Sequence, residues 1–162
     1  MKIHASPKAH PGEVPCTAQD VEELCRAMFE LGYPRWQKGS LATVLQHARV
    51  RPYRAGETVI RRGDRPEAAF VVQRGRLRVE AGAASGASLP VRMGPGDIVG
   101  EIGMLRATPR TATVTAEEDS RLYVLDQDAF GLLLSTSPDF RRRLEGLAHE
   151  RQPYAHRRRT GA

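Results

Sequence analysis

The run from Gly96 to Ala112, GDIVGEIGMLRATPRTA, concentrates the residues best suited to chemistry in this chain. Its glycines let backbone come close to a ligand. Glu101 places a carboxylate at an expected helix entrance, and Arg110 places a cation directly after Pro109. Ile102, Gly103 and Met104 would open a short helix whose first N–H groups lack partners within it and can face an anion. A cation, a hydroxyl-reading carboxylate and a cradle of N–H donors are the parts needed to hold a sugar phosphate without reacting on it. A guanidinium fork suits phosphate oxygens, and each such charge-assisted bond contributes about 1.5–3 kcal/mol. Taken alone, Glu101 reads equally well as a charge capping a helix start. Arg110 alone reads as a surface arginine after a turn, a reading that does not explain why the three features come together.

No catalytic set competes with this loop, and the chain is read as a non-enzyme without a cofactor or metal. Its five histidines, His4, His10, His47, His149 and His156, are scattered. There is no nucleophile elbow, no Walker-type lysine loop and no cluster with metal-ligand spacing. Cys16 and Cys25 make neither a disulfide framework nor a zinc knuckle. They read as reduced thiols of a cytoplasmic protein. The N-terminus has no apolar signal core, and no apolar run reaches the roughly 20 residues of a membrane span. The net charge of +6 raises a nucleic-acid partner, but seven arginines lie between Arg141 and Arg159. A terminal basic run reads first as a solvated tail.

The 162 residues suit one domain with a packed core. Residues 1–16, with Pro7, Pro11 and Pro15, read as a flexible leader. Residues 17–37 read as a helical segment: Thr17 is a good N-cap, and Val21, Leu24, Cys25, Met28 and Leu31 repeat at helical spacing before Gly32 and Pro34. Ser40 caps a second expected helix, which gives way at Arg49–Tyr53. From Tyr53 the period becomes two, with glycine turns at short intervals, a small-residue loop from Ala81 to Ser88, and strands resuming after the loop of the opening paragraph. This pattern predicts an antiparallel sandwich or barrel. Helices are predicted over Asp128–Ser135 and from Pro138 to about Gln152, the latter with a Phe140, Leu144, Leu147 stripe.

This order of elements, with Tyr53–Glu57 and Arg62–Asp64, Phe70–Leu77, and Gly100–Glu101–Ile102 through Pro109–Arg110–Thr111–Ala112 in sequence, closely resembles the cyclic nucleotide-binding domain family. The resemblance covers roughly residues 38–150. It implies a mainly β fold with flanking helices: an antiparallel β-roll or jelly-roll barrel with N-terminal helices and C-terminal lid helices, the domain spanning residues 38–152 and a basic tail residues 153–162. It implies cAMP or cGMP as ligand. Glu101 would accept from the ribose 2′-hydroxyl and Arg110 would pair with the cyclic phosphate. Gly100, Ile102, Gly103, Met104, Thr111 and Ala112 complete the binding set. The Thr111 hydroxyl could reach phosphate or base and says little about cAMP against cGMP. Ile98 and Val99 would wall the sugar and base, or pack in the core. Val99 is smaller than the residue usual there. Arg142, Arg143, His149 and Tyr154 are candidates to cap the base from the lid helix.

The resemblance also implies an effector, either a partner protein or a domain absent from these 162 residues. Too few residues follow Arg151 for a helix-turn-helix, so nucleic acid is not an expected partner by that route. A homodimer through the lid helix is a further expectation. Two alternatives stand beside the sensor: a docking or dimerisation module on the same fold that has lost nucleotide binding, and a nucleic-acid binder using the basic tail. A haem- or cluster-based gas sensor fits the few cysteines and scattered histidines less well.

Overall fold

The computed structural model describes residues 10–30, 47–81 and 89–156, with side chains in the last helix as far as Ala148. The elements are β1 (Val14–Pro15), α1 (Ala18–Glu30), β2 (Arg49–Tyr53), β3 (Thr58–Ile60), β4 (Ala68–Arg74), β5 (Leu77–Ala81), β6 (Val91–Met93) and β7 (Ile98–Val99). They continue with α2 (Glu101–Arg106), β8 (Ala112–Ala116), β9 (Ser120–Asp126), α3 (Gln127–Thr136) and α4 (Pro138–His156). All strand pairs are antiparallel. They form a five-stranded sheet ordered β1-β2-β9-β4-β7 and a four-stranded sheet ordered β3-β8-β5-β6. Among the described residues no strand pair joins the two sheets, so the predicted jelly roll is a pair of facing sheets and not a closed barrel.

Alternation explains the layers. Successive side chains on a strand point to opposite faces. In β4, Ala68, Phe70 and Val72 join Leu122 and Val124 of β9 against Ile60, Leu77 and Val114 of the smaller sheet. The other face of the same strands, Ala69, Val71, Tyr123 and Leu125, packs on Leu24 and Met28 of α1, Phe130 and Leu133 of α3, and Phe140 and Leu144 of α4. The central strands are covered on both faces, which accounts for the unbroken apolar run Ala68–Val72.

Helix boundaries follow local chemistry. At the start of α1, the Thr17 hydroxyl accepts from the Asp20 N–H (3.1 Å) and the Asp20 carboxylate accepts from the Thr17 N–H (2.8 Å), a reciprocal cap. Asp126 caps α3 by accepting from the Ala129 N–H at 2.8 Å. No described helix is long and apolar enough to cross a membrane.

One stretch differs from the sequence reading. Val14 and Pro15, within the residues read as a flexible leader, pair with Val50 and Arg49 at the edge of the larger sheet. Arg49–Tyr53, where the second expected helix gives way, is strand β2. One ion-pair cluster ties the two strands together, because the Glu13 carboxylate lies 3.0 Å from the Nε atoms of Arg49 and Arg51. The helix expected from Ser40, most of the Ala81–Ser88 loop and the final basic run Arg157–Arg159 lie outside the described residues.

Candidate functional site

The loop singled out in the sequence folds as a turn, the short helix α2 and an arm that enters β8. Gly100 precedes α2 with φ of 79°, in the left-handed region. A Cβ there would stand 2.6 Å from a terminal nitrogen of Arg110 and 2.9 Å from Ile60 Cδ1. Conformation and space both demand glycine at this point. Gly103 is also tightly enclosed, with Pro66, the Thr108 carbonyl and Arg110 within 3.1–3.4 Å of where its Cβ would lie. Helix α2 ends at Ala107, whose N–H donates to the Gly103 carbonyl.

Arg110 is the most constrained side chain of the site. It is buried, at 8% exposure. Its backbone N–H donates to the Asp64 carbonyl, and its carbonyl accepts from the Gly63 N–H, both at 2.9 Å. The arm is thereby clamped to the β3–β4 turn, a link no local pattern announced. The guanidinium donates to the Gly100 carbonyl at 2.8 Å and to the Ala68 carbonyl. Burial pushes its pKa below the usual arginine value, and the carboxylates of Glu101, Glu67 and Asp64 act in the opposite direction. Arg110 stays a cation because it starts so high.

Glu101 is fully buried, at 1% exposure. A solvated capping charge would not sit there, so burial beside Arg110 argues against the surface reading. It also closes the carboxylate to any ligand in this arrangement. Val99 is likewise buried, at 2% exposure, and pairs with Phe70 of β4 within the core between the sheets. Ile98, paired with Val71, is buried in the other cluster, against the helices. Ile102 and Met104 are half-buried, Thr111 is exposed, and Ala112 begins β8 opposite Ala81. Met104 and Leu105 pack with Leu147 against the cluster containing Phe140 and Leu144, which couples α2 to α4.

Strand register reveals a wall that sequence reasoning missed. Ile60, Val114, Val79 and Val91 stand in one row across the inner face of the smaller sheet. Ile60 and Val114 are buried, but Val91 at the far end is 49% exposed. This apolar row adjoins the strand that Arg110 and Thr111 lead into. The alternation of Leu77 with Val79 and of Val91 with Met93 was its signal; the pairing of the strands was not visible. Among the lid candidates, Arg142 is exposed and ion-paired to Asp139 of its own helix, and Arg143 is exposed. The side chains of His149 and Tyr154 lie outside the described residues. Among the described residues no group of three or more His, Cys, Asp or Glu is placed to hold a metal.

The two-sheet jelly roll and the glycine-bounded loop before its last two strands define a cyclic nucleotide-binding domain. The chain belongs to that family, whose profile matches residues 50–137. Acetyltransferase Pat of Mycolicibacterium smegmatis is 38% identical over 111 residues, 68% of this chain and 32% of that protein. The human potassium/sodium hyperpolarization-activated cyclic nucleotide-gated channel 3 is 33% identical over 111 residues, 68% of this chain and 14% of the channel. The catabolite activator protein of Thermus thermophilus superposes with a TM-score of 0.62 at 25% identity, covering 74% of this chain and 57% of that one. The chain thus spans less than a third of the length of either of these two curated relatives.

Proposed function

We propose that this domain is a cytoplasmic receptor for a cyclic purine nucleotide, cAMP or cGMP, that performs no chemistry and passes its occupancy to an effector through α4. The observation that carries the reading is Arg110, a buried cation clamped through its backbone and held by two carbonyls beside buried Glu101. In this reading the remaining guanidinium donors and the Thr111 N–H take the cyclic phosphate, while Gly103 keeps its approach clear. Glu101 accepts from the ribose hydroxyl. The Val79–Val91 wall lies along the base, and the Thr111 hydroxyl meets phosphate or base.

The burial of Glu101 supplies the relay. A ligand hydroxyl reaches that carboxylate only if α2 opens, and α2 shares the cluster of Met104, Leu105, Phe140, Leu144 and Leu147 with α4. Ligand therefore favours a state in which both helices shift, and it moves the population by its preference for that state. Relatives carry such domains beside an acetyltransferase or a channel; the effector here is proposed to be a protein segment or partner that reads α4. Phe140, Leu144 and Ala148 are spent on the chain's own core, and the exposed residues 141–143 are arginines. A homodimer through residues 138–148 of α4 would have to be polar. Calorimetric titration of cAMP and cGMP into the wild type and Arg110→Ala tests the reading: micromolar or tighter binding of at least one nucleotide is expected, lost in the variant. Failure of the wild type to bind either nucleotide overturns it.

A further inference from the structure

We propose that a second pocket, at the mouth of the sandwich beside β2, binds a small multiply charged anion of the phosphate or carboxylate class. The pocket has a volume of about 300 Å³, at the lower end of small-molecule sites. Arg110 and Ile60 of the proposed nucleotide cradle border it.

The pocket exists because β2 breaks the sandwich rule. Its register sets Arg49 and Arg51 opposite Val124 and Leu122, positions where the inner face is otherwise apolar. Arginines turned inward are costly unless paired. The pairing comes from Glu13, whose side chain is 8% exposed and whose carboxylate lies 3.0 Å from both Nε atoms. The chain itself thus supplies an anion of the class the site accepts. Arg51 is further fixed by the Tyr53 hydroxyl at 3.2 Å and by the Phe70 ring, whose centroid lies 5.7 Å from the guanidinium carbon.

One carboxylate does not exhaust these donors. A guanidinium carries five N–H groups, and Arg49 meets Glu13 through its Nε. Arg61 and Arg65 border the same pocket, and their side chains make no hydrogen bond or ion pair among the described residues. The opposing acids are partly committed: Asp126 caps α3, and the charges of Asp64 and Glu67 act on Arg110. The lining sets Arg49, Arg51, Arg61, Arg65 and Arg110 against the carboxylates of Glu13, Asp64, Glu67 and Asp126, a small cationic excess over an apolar floor of Phe70 and Val124. Its concavity favours a compact anion over an acidic protein segment. Because Arg110 borders both sites, an occupant here alters nucleotide affinity.

The test is an NMR titration of the arginine Nε–H and backbone amide signals with inorganic phosphate, and separately with succinate, at constant ionic strength. Saturable shifts at Arg49, Arg51 and the 61–65 turn are expected. Glu13→Gln should tighten phosphate binding about tenfold by freeing the arginine pair, and Arg61→Ala should weaken it about tenfold, with cAMP affinity in Arg61→Ala held within about threefold. Should Glu13→Gln fail to fold, Arg61→Ala at the exposed turn carries the comparison. Shifts confined to residues 100–112, shifts that never saturate, or binding of a hexaglutamate peptide where phosphate and succinate do not bind would each overturn the proposal. Signals at Arg49 and Arg51 in a chain that binds no cyclic nucleotide would uphold this pocket and sink the nucleotide reading alone.

Discussion

The two ends of the proposed cradle are built on different principles. At the phosphate end, Arg110 has four polar links, two through its backbone and two through its guanidinium, and Gly100 sits where no side chain fits. At the base end there is an apolar row whose last member, Val91, is half exposed on an edge strand of three residues. The described lid arginines, Arg142 and Arg143, face solvent. An over-determined polar end fixes what must be bound, and a loose apolar end leaves a choice. Sugar-phosphate recognition should therefore be all-or-none under mutation, and base preference should move by small factors.

Arg110→Ala is expected to have the largest effect. Losing two or more charge-assisted bonds should weaken nucleotide binding at least about a hundredfold. The same change strips partners from the Gly100 and Ala68 carbonyls and should cost about 1–3 kcal/mol of stability. Calorimetry and chemical denaturation read the two losses separately. Arg110→Lys sharpens the comparison, since it keeps the charge without the fork. If Lys restores full affinity, the end is held by charge alone and its geometry is not over-determined. Gly100→Ala comes next. A left-handed φ of 79° costs a β-carbon about 1–2 kcal/mol, before the contact at 2.6 Å from Arg110 is relieved. A lower melting temperature and about tenfold weaker binding are expected. An unchanged variant would show that the turn has slack.

The difference between the ends also explains what could be read in advance. The phosphate end is local: Gly100, Glu101 and Arg110 lie within eleven consecutive residues, so their spacing carried the pattern. Apart from β7, the strands from Thr58 to Asp126 and the helices α3 and α4 were legible for the same reason, since turns and periodicity are local signals. Residues paired across long separations were not. Arg49 and Arg51 look unlike strand residues until Glu13, 36 and 38 positions earlier, neutralises them. Val14–Pro15 looks like loop until β2 offers an edge. The burial of Glu101 was invisible because a carboxylate at a helix start is ordinarily solvated. The pairing of Val99 with Phe70 across some thirty residues was equally invisible.

The base end should answer with smaller numbers. Thr111→Ala removes an exposed hydroxyl next to Arg110 and leaves its N–H in place. The ratio of cAMP to cGMP affinity should change by less than about tenfold, the worth of one neutral hydrogen bond. A larger change would mean that the base is read inside the cassette and not by the apolar wall. Val91→Ala should do least. Two buried CH₂ equivalents contribute about 0.8 kcal/mol each when fully covered, and an edge-strand valine that is 49% exposed is at best half covered by a ligand. About a two- to fivefold loss for both nucleotides is expected, with no change in their ratio, because a flat apolar contact does not distinguish adenine from guanine. A loss confined to one nucleotide would place a base-specific contact on β6 and make this end as directive as the other.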